Sequence, residues 1–377
     1  MPRLLSGSGT VTGTGALTSI APGADGQVLT STGAGSPPAF ESVSAPLSNR
    51  NRLINGDFQI SQLYGTDTIT SLDDDTGANN DNSYILDRWK LVSEGNDIVD
   101  INQSNTAPTN QLYSMRLDVE TVNKKFGIAQ TIEQQNCIDL IGNAVTFSFK
   151  AKVSATTKLD NVKAGIIAWS STADAVTDDI VSAWGAEGTN PTLASNLTFE
   201  NTPANLSVTT SWATYSVSAN IDTSSTTNII VFIWSDVSDT TAGDFLYITD
   251  CQLEVGSSAT TFERRDYASE LARCQWYYQV LFNPGRKNID SENICISYMH
   301  SNGYSYGSIN HPNPIRDGGT ASIKNKGEFQ ALSSAGGGWT QLTSVVGFDA
   351  LSWNRSAIYF QTTGTDGYAI LLRKNNS

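Results

Sequence analysis

Val145-Thr146-Phe147-Ser148-Phe149-Lys150-Ala151-Lys152-Val153 decides the fold class. Val145, Phe147, Phe149, Ala151 and Val153 alternate with Thr146, Ser148, Lys150 and Lys152. A period of two puts the apolar side chains on one face of a strand and the polar ones on the other, the pattern of a half-buried antiparallel strand. Tyr113, Met115, Leu117 and Val119 repeat it upstream, and Ala213, Tyr215, Val217, Ala219 and Ile221 downstream. Phe245, Tyr247, Cys251, Leu253 and Val255 continue the set with Asp250, Gln252 and Glu254 opposite, which assigns Phe245 and Tyr247 to the apolar face. Ile229-Ile230-Val231-Phe232-Ile233-Trp234 is apolar on both faces and is expected centrally, between layers. Turn clusters such as Asp222-Thr223-Ser224-Ser225 separate the runs. Many short strands with polar turns predict an all-β, two-sheet sandwich.

Composition agrees. Of 377 residues only 16% are charged, against about 25% in average globular chains. The deficit is filled by Ser, Thr, Asn and Gly, and Thr, Ser, Val, Ile and aromatics are strand and turn chemistry rather than helix chemistry. Lys plus Arg total 23 against 37 Asp plus Glu, a net charge of -14. Phosphate contacts need clustered cations, so nucleic acid is excluded as a partner. The 8 Trp, 13 Phe and 13 Tyr exclude a chain disordered throughout. No run approaches the roughly 20 apolar residues that cross a bilayer, so no membrane insertion is expected. The N-terminal MPRLLSGSGTVTGTG lacks an apolar signal core, so export by the usual route is not expected either. Cys137, Cys251, Cys274 and Cys295 are far apart and contain no C-x-x-C pair, and they read as reduced, buried small hydrophobes.

Four segments are expected. Residues 1–48 carry only Arg3, Asp25 and Glu41 as charges, and read either as a flexible leader or as an attachment segment that orders against a partner. Within them, 24–30 and 33–35 read as turn, short strand, turn, and Pro37-Pro38 as extended chain. Residues 49–265 hold the sandwich. Residues 266–282 hold a connecting helix, with Asp266 as N-cap, Glu270 near the positive end of the dipole, and Tyr267, Leu271, Cys274 and Tyr278 along one face. Residues 283–377 return to short strands at 294–298, 321–323, 345–348 and 357–360, a second and smaller β-sandwich domain.

Catalytic and metal chemistry finds little support. Asp73-Asp74-Asp75 with Asn79, Asn80, Asp81 and Asn82 reads as a solvated loop or a cation site, without the spacing of an EF-hand. His300 and His311 lack neighbouring ligands, and no metal or cofactor is expected. Gly303-Tyr304-Ser305-Tyr306-Gly307 has the letters of a nucleophile elbow, but no helix follows to make the strand-to-helix turn. Carboxylates for glycoside hydrolysis could pair only in space. No catalytic residue is assigned and no enzymatic activity is expected.

One resemblance then enters. Asn51-Arg52-Leu53-Ile54-Asn55-Gly56-Asp57-Phe58 followed by Leu86-Asp87-Arg88-Trp89 resembles the start of a β-sandwich unit of tailed-bacteriophage fibre proteins. Gln252-Leu253-Glu254-Val255-Gly256 with residues 261–265 resembles its last strand and exit, and residues 270–278 resemble the helix that follows. Residues 25–40 resemble a short N-terminal segment of such fibres. The resemblance implies a jelly-roll sandwich similar to carbohydrate-binding modules. It also implies a homotrimer assembled in the host cytoplasm and carried on the virion. Gln27, Val28, Leu29 and Phe40 would dock another phage structural protein, and the distal β domains would bind host surface polysaccharide. The chain departs from the family in lacking a long repetitive shaft.

Sugar rings stack on exposed aromatic faces, with amides and carboxylates taking the hydroxyls. Trp89, Trp169, Trp212 and Trp234 lie in strand patterns and read as core. Tyr304, Tyr306, Trp339 and Trp353 lie in or near turn-rich C-terminal segments and are the candidate binding residues, with core or trimer contact as the plainer alternative. The expected function is that of a short tail fibre recognising host glycan. The alternative is a structural head or collar fibre, or an adaptor between appendage and particle, and a polysaccharide depolymerase stands third.

Overall fold

The computed structural model describes residues 49–62, 64–65, 80–279 and 307–316, and the backbone of strands at 27–30, 39–42, 293–299, 304–306, 329–333, 340–341, 345–352, 355–361 and 369–374. The chain separates into two compact units, Met1–Arg50 and Asn51–Ser377. In the first, β1 (Gln27–Thr30) and β2 (Ala39–Ser42) form an antiparallel hairpin with Val28 opposite Glu41 and Leu29 opposite Phe40.

The second unit opens with β3 (Lys90–Ser93), β4 (Val99–Ser104), β5 (Ser114–Val119), β6 (Phe126–Ile132), a single helical turn α1 (Gln134–Cys137) and β7 (Ala144–Val153). It continues with β8 (Val162–Trp169), β9 (Val181–Ala183), β10 (Thr192–Leu193), β11 (Leu197–Phe199), β12 (Ala213–Asn220), β13 (Asn228–Ser235) and β14 (Phe245–Val255). Two five-stranded antiparallel sheets result, in orders β12-β7-β14-β5-β4 and β11-β8-β13-β6-β3. This is the expected jelly-roll-like sandwich.

The alternation in β7 does what its period requires. Val145, Phe147, Phe149, Ala151 and Val153 are at most 2% exposed and meet Ile166, Val231 and Ile233 of the other sheet in one core. Burying each large side chain contributes about 1.5–3 kcal/mol. β13 is buried on both faces, as its sequence predicts. Ile229, Val231 and Ile233 face the inter-sheet core, while Ile230, Phe232 and Trp234 face a second cluster covered by Trp184, Leu193 and Phe199. The segment carrying β9 and β10 therefore seals the outer face of that sheet. A buried ion pair ties it down: Lys163 Nζ lies 2.9 Å from Asp236 Oδ2 and donates to Gly188 O at 3.0 Å, and Gly188 N donates to Asp236 at 3.0 Å.

Residues 51–58, 86–89 and 265–278, far apart in sequence, fold into one knot at the edge of the sandwich. Asn55, at φ +57°, accepts from Ile60 N at 2.9 Å, donates to Ile60 O and Asp87 O, and takes the Trp89 indole N–H on its own carbonyl at 3.0 Å. Gly56 lies against β14, where an added Cβ would stand 2.2 Å from Cys251 O.

α2 (Tyr267–Gln275) is capped by Asp266, which accepts from Ser269 N at 3.0 Å, as expected. Its buried side keeps two of the four expected residues, Leu271 and Cys274, which pack with Ile54 and Ile60. Tyr267 and Tyr278 are exposed, whereas Glu270 and Cys274 are buried. Glu270 accepts from Asn55 N and pairs with Arg265 at 3.1 Å, so partners fixed in the knot hold the charge inside. Cys137, Cys251 and Cys274 are free and buried.

Beyond α2 come β15 (Asn293–Met299), β16 (Tyr304–Asn310), β17 (Phe329–Ser333), β18 (Thr340–Gln341), β19 (Val345–Ser352), β20 (Arg355–Gln361) and β21 (Ala369–Lys374). They hydrogen-bond into a single antiparallel sheet, β18-β17-β21-β15-β16-β20-β19. The described C-terminal strands are thus β, as predicted, but joined in one continuous sheet where two were expected. Residues 280–282 and 321–323 lie outside the described residues.

Candidate functional site

The outer face of β12-β7-β14-β5-β4 is open over part of its area: Thr214, Ser216 and Ser218 of β12 are exposed, whereas Gln252 and Glu254 of β14 are buried beneath Thr260 and Glu263. What stands on it is set by an irregularity in β14. Thr249 pairs with Lys150 and Gln252 with Ser148, so Asp250 and Cys251 together oppose one residue of β7. This is a β-bulge, and Asp250 takes the left-handed conformation it needs, φ +55°. The extra residue shifts the alternation. Leu246 and Ile248 before the bulge and Cys251 and Leu253 after it all enter the core. Phe245 and Tyr247, assigned to the apolar face by sequence, are therefore on the outer face. The Asp250 carboxylate pairs with Lys150 at 2.9 Å and accepts from Gln111, which holds the bulge in place.

The outer face carries a row running across the strands. Asn102 of β4 is in register with Arg116 of β5, Arg116 with Tyr247 of β14, and Tyr247 with Lys152 of β7. Trp212, one residue before the Ala213–Ala151 pair, extends it to the β12 edge. At roughly 4.8 Å per strand the row spans about 19 Å. Trp212 is half-buried, with its ring centroid 6.0 Å from that of Tyr247, and Phe245 meets Tyr247 edge-on at 5.0 Å. Lys152 Nζ stands 4.9 Å from the Tyr247 centroid and 5.5 Å from that of Trp212. The Arg116 guanidinium lies 5.1 Å from the Phe245 centroid and pairs with Asp118 at 2.7 Å. The β4–β5 end is acidic. Burial, and then the charges of Glu120 and Asp118, push the Asp100 carboxyl up to about 6. Tyr247 is only 7% exposed, so the partly exposed rings of Trp212 and Phe245 are the ones that can stack on an apolar ring face, with the flanking cations, amide and carboxylates for hydroxyls.

Of the sequence-predicted residues, Tyr304 and Tyr306 lie two apart on β16, and Trp339 and Trp353 lie outside the described residues. Gln27, Val28 and Leu29 are on β1 and Phe40 on β2. Trp89, Trp169 and Trp234 are buried as expected, and Trp212 is not. Its own strand carried the signal, because Trp212 shares parity with Thr214 and Ser216 and not with the inward Tyr215. Ser305 sits inside β16, paired with Met299 and Phe360, and not at a strand-to-helix turn. Residues 73–79 lie outside the described residues. Asp81 accepts from Ser93 N at 2.7 Å, and among the described residues no cluster of His, Cys, Asp or Glu is arranged to hold a metal.

No protein-family model matches the chain, and no curated protein matches it. Solved structures similar to it include the enzymatically active domain of tailspike protein 4 of bacteriophage CBA120, at 15% identity and TM-score 0.32, with 55% of this chain matched to 21% of that one. A family 61 carbohydrate-binding module in complex with β-1,4-galactotriose matches at 15% identity and TM-score 0.30, over 55% of this chain and all of the module. A xylan-binding domain from Paenibacillus barcinonensis matches at 10% identity and TM-score 0.28, over 52% and 98%. What those proteins bind or cleave is a property of those proteins.

Proposed function

We propose that the chain is a glycan-binding protein carried on a phage virion, and that the open face of the sandwich is its sugar-binding surface. The transverse row from Asn102 to Trp212 carries this reading. It offers an aromatic edge for ring stacking, donors and acceptors beside it, and enough length for several linked sugars. The virion role rests on the sequence resemblance of residues 25–40, 51–58 and 86–89 to tail-fibre proteins. In this reading the hairpin bearing Gln27, Val28, Leu29 and Phe40 docks a phage structural protein, the chain is a homotrimer, and the particle uses it to adhere to host polysaccharide. Tyr304, Tyr306, Trp339 and Trp353 belong to the same proposal as further contacts from the C-terminal segment.

The test is binding of full-length protein to purified host polysaccharide, together with adsorption of particles that carry variants. Trp212→Ala removes a half-buried ring at the edge of the sheet and leaves the core intact. It should weaken binding about tenfold, equivalent to about 1.4 kcal/mol. Unchanged polysaccharide binding and adsorption would refute the assignment of this face. Normal adsorption by particles lacking residues 1–48 would refute the docking role of the hairpin.

A further inference from the structure

On the opposite sheet a cleft of about 210 Å³ opens between β3, β6, the 174–180 segment and Arg316. That is below the roughly 300–1,000 Å³ of a drug-sized site and suits one small ring. Three cations line it, Arg88, Lys90 and Arg316, and three carboxylates, Glu133, Asp174 and Asp178. The charges are already matched: Lys90 pairs with Asp178 at 2.6 Å, and Arg316 with Glu133 and with Asp174 at 3.6 Å. Arg88 stacks on Tyr277 at 3.5 Å and donates to Thr131 O at 2.8 Å. An anionic ligand would meet three carboxylates and a cationic one three cations. A neutral ligand whose groups both donate and accept fits every side of such a lining. Val92 and Ile180 add apolar surface, and Tyr84, 58% exposed, stands at the mouth with Lys90 Nζ 5.0 Å from its ring centroid.

We infer that this cleft is a second ligand site, taking a single neutral sugar ring or polyol of that size, independent of the open face. Three separate parts of the chain build it, so its occupant would bridge the sandwich and the segment that carries Arg316. The Arg316 backbone N–H also donates to Trp276 O at 2.9 Å, which fixes that segment beside the helix end. An ion-pair seam with no ligand is the competing explanation.

Ligand-observed NMR on the full chain with glucose, galactose and mannose, each beside glucuronate and glucosamine, separates the two. Tyr84 and Asp178 are exposed, so Tyr84→Ala and Asp178→Asn keep the fold. Millimolar binding of at least one neutral hexose is expected, weakened at least fivefold by each variant and unchanged by Trp212→Ala. Absence of saturation transfer from any neutral hexose at tens of millimolar would overturn the inference. So would loss of binding in Trp212→Ala, or tighter binding of the charged sugars than of the neutral ones. Binding of polymer by the open face stands or falls separately on the polysaccharide assay.

Discussion

Asp57 should make this protein more stable at mildly acid pH than at neutral pH. Its carboxyl is 6% exposed, and burial, then the charge of Glu270, raise it from 3.8 to about 6, against Arg264 and the backbone N–H groups of Asp57 and Gln59. In the unfolded chain it ionises near the ordinary value. Between about pH 4 and pH 6 the folded state holds a proton that the unfolded state has released, so unfolding free energy falls as pH rises. The contribution is complete below pH 4 and gone above about pH 6. At 1.36 kcal/mol per pH unit it amounts to at most about 3 kcal/mol. Burial also raises Asp81, Asp87, Asp100 and Glu200, so their contributions have the same sign. At roughly 2 °C per kcal/mol for a large domain, Asp57 alone shifts the melting temperature by up to about 6 °C. The assay is thermal unfolding from pH 4 to pH 8 for the native chain and for Asp57→Asn, whose amide keeps acceptor capacity without charge. The variant should exceed the native chain at pH 7.5 and converge with it at pH 4. A native melting temperature that is flat or rises from pH 5 to pH 7.5, with no gap to the variant, would refute the reasoning.

Lys163→Met leaves Asp236 buried without its counterion and should cost about 3–5 kcal/mol in denaturant unfolding, with much of it restored in Lys163→Met/Asp236→Leu. Gly56→Ala sets a Cβ 2.2 Å from Cys251 O, and backbone cannot yield as a flexible side chain does. A loss of about 1–3 kcal/mol is expected, read by the denaturant midpoint. Asn55→Ala removes donors to Ile60 O and Asp87 O and the acceptor for Ile60 N, and it places Ala at φ +57°. It should cost about 2 kcal/mol or more, and Asn55→Asp should cost at least as much at neutral pH, because a buried carboxylate would face the Ile60 and Asp87 carbonyls beside Glu270.

The sandwich was legible where burial is one-sided or complete. β7 alternates without interruption, and β13 is apolar at consecutive positions, so each admits one reading. β14 does not. Phe245, Leu246, Tyr247 and Ile248 are apolar on both parities, and periodicity alone cannot choose which pair turns inward. Asp250 breaks the count, and an aspartate tolerates the left-handed conformation of a bulge, yet nothing local marks it as one. The cap at Asp266 was readable because its partner is three residues away. The burial of Glu270 was not, because Asn55 lies 215 positions away and becomes its neighbour only through the fold. The quoted phage-like motifs at 51–58, 86–89 and 270–278 likewise look separate in sequence. Their shared reason is the knot around Asn55, in which each supplies hydrogen-bonding groups the others lack.

The bulge in β14 also divides the strand into two reading frames. Residues before it and residues after it obey opposite parity, so each half can change its surface without disturbing the core positions of the other. The same arrangement makes chain length forgiving there. Deleting Asp250 would set Cys251 opposite Phe149 and restore unbroken alternation, with Leu246, Ile248, Cys251 and Leu253 still inward and Phe245 and Tyr247 still outward. In the lineage of this chain, a one-codon gap at this point costs the kink and the Asp250–Lys150 pair but spares the face, whereas a gap elsewhere in the strand would invert it.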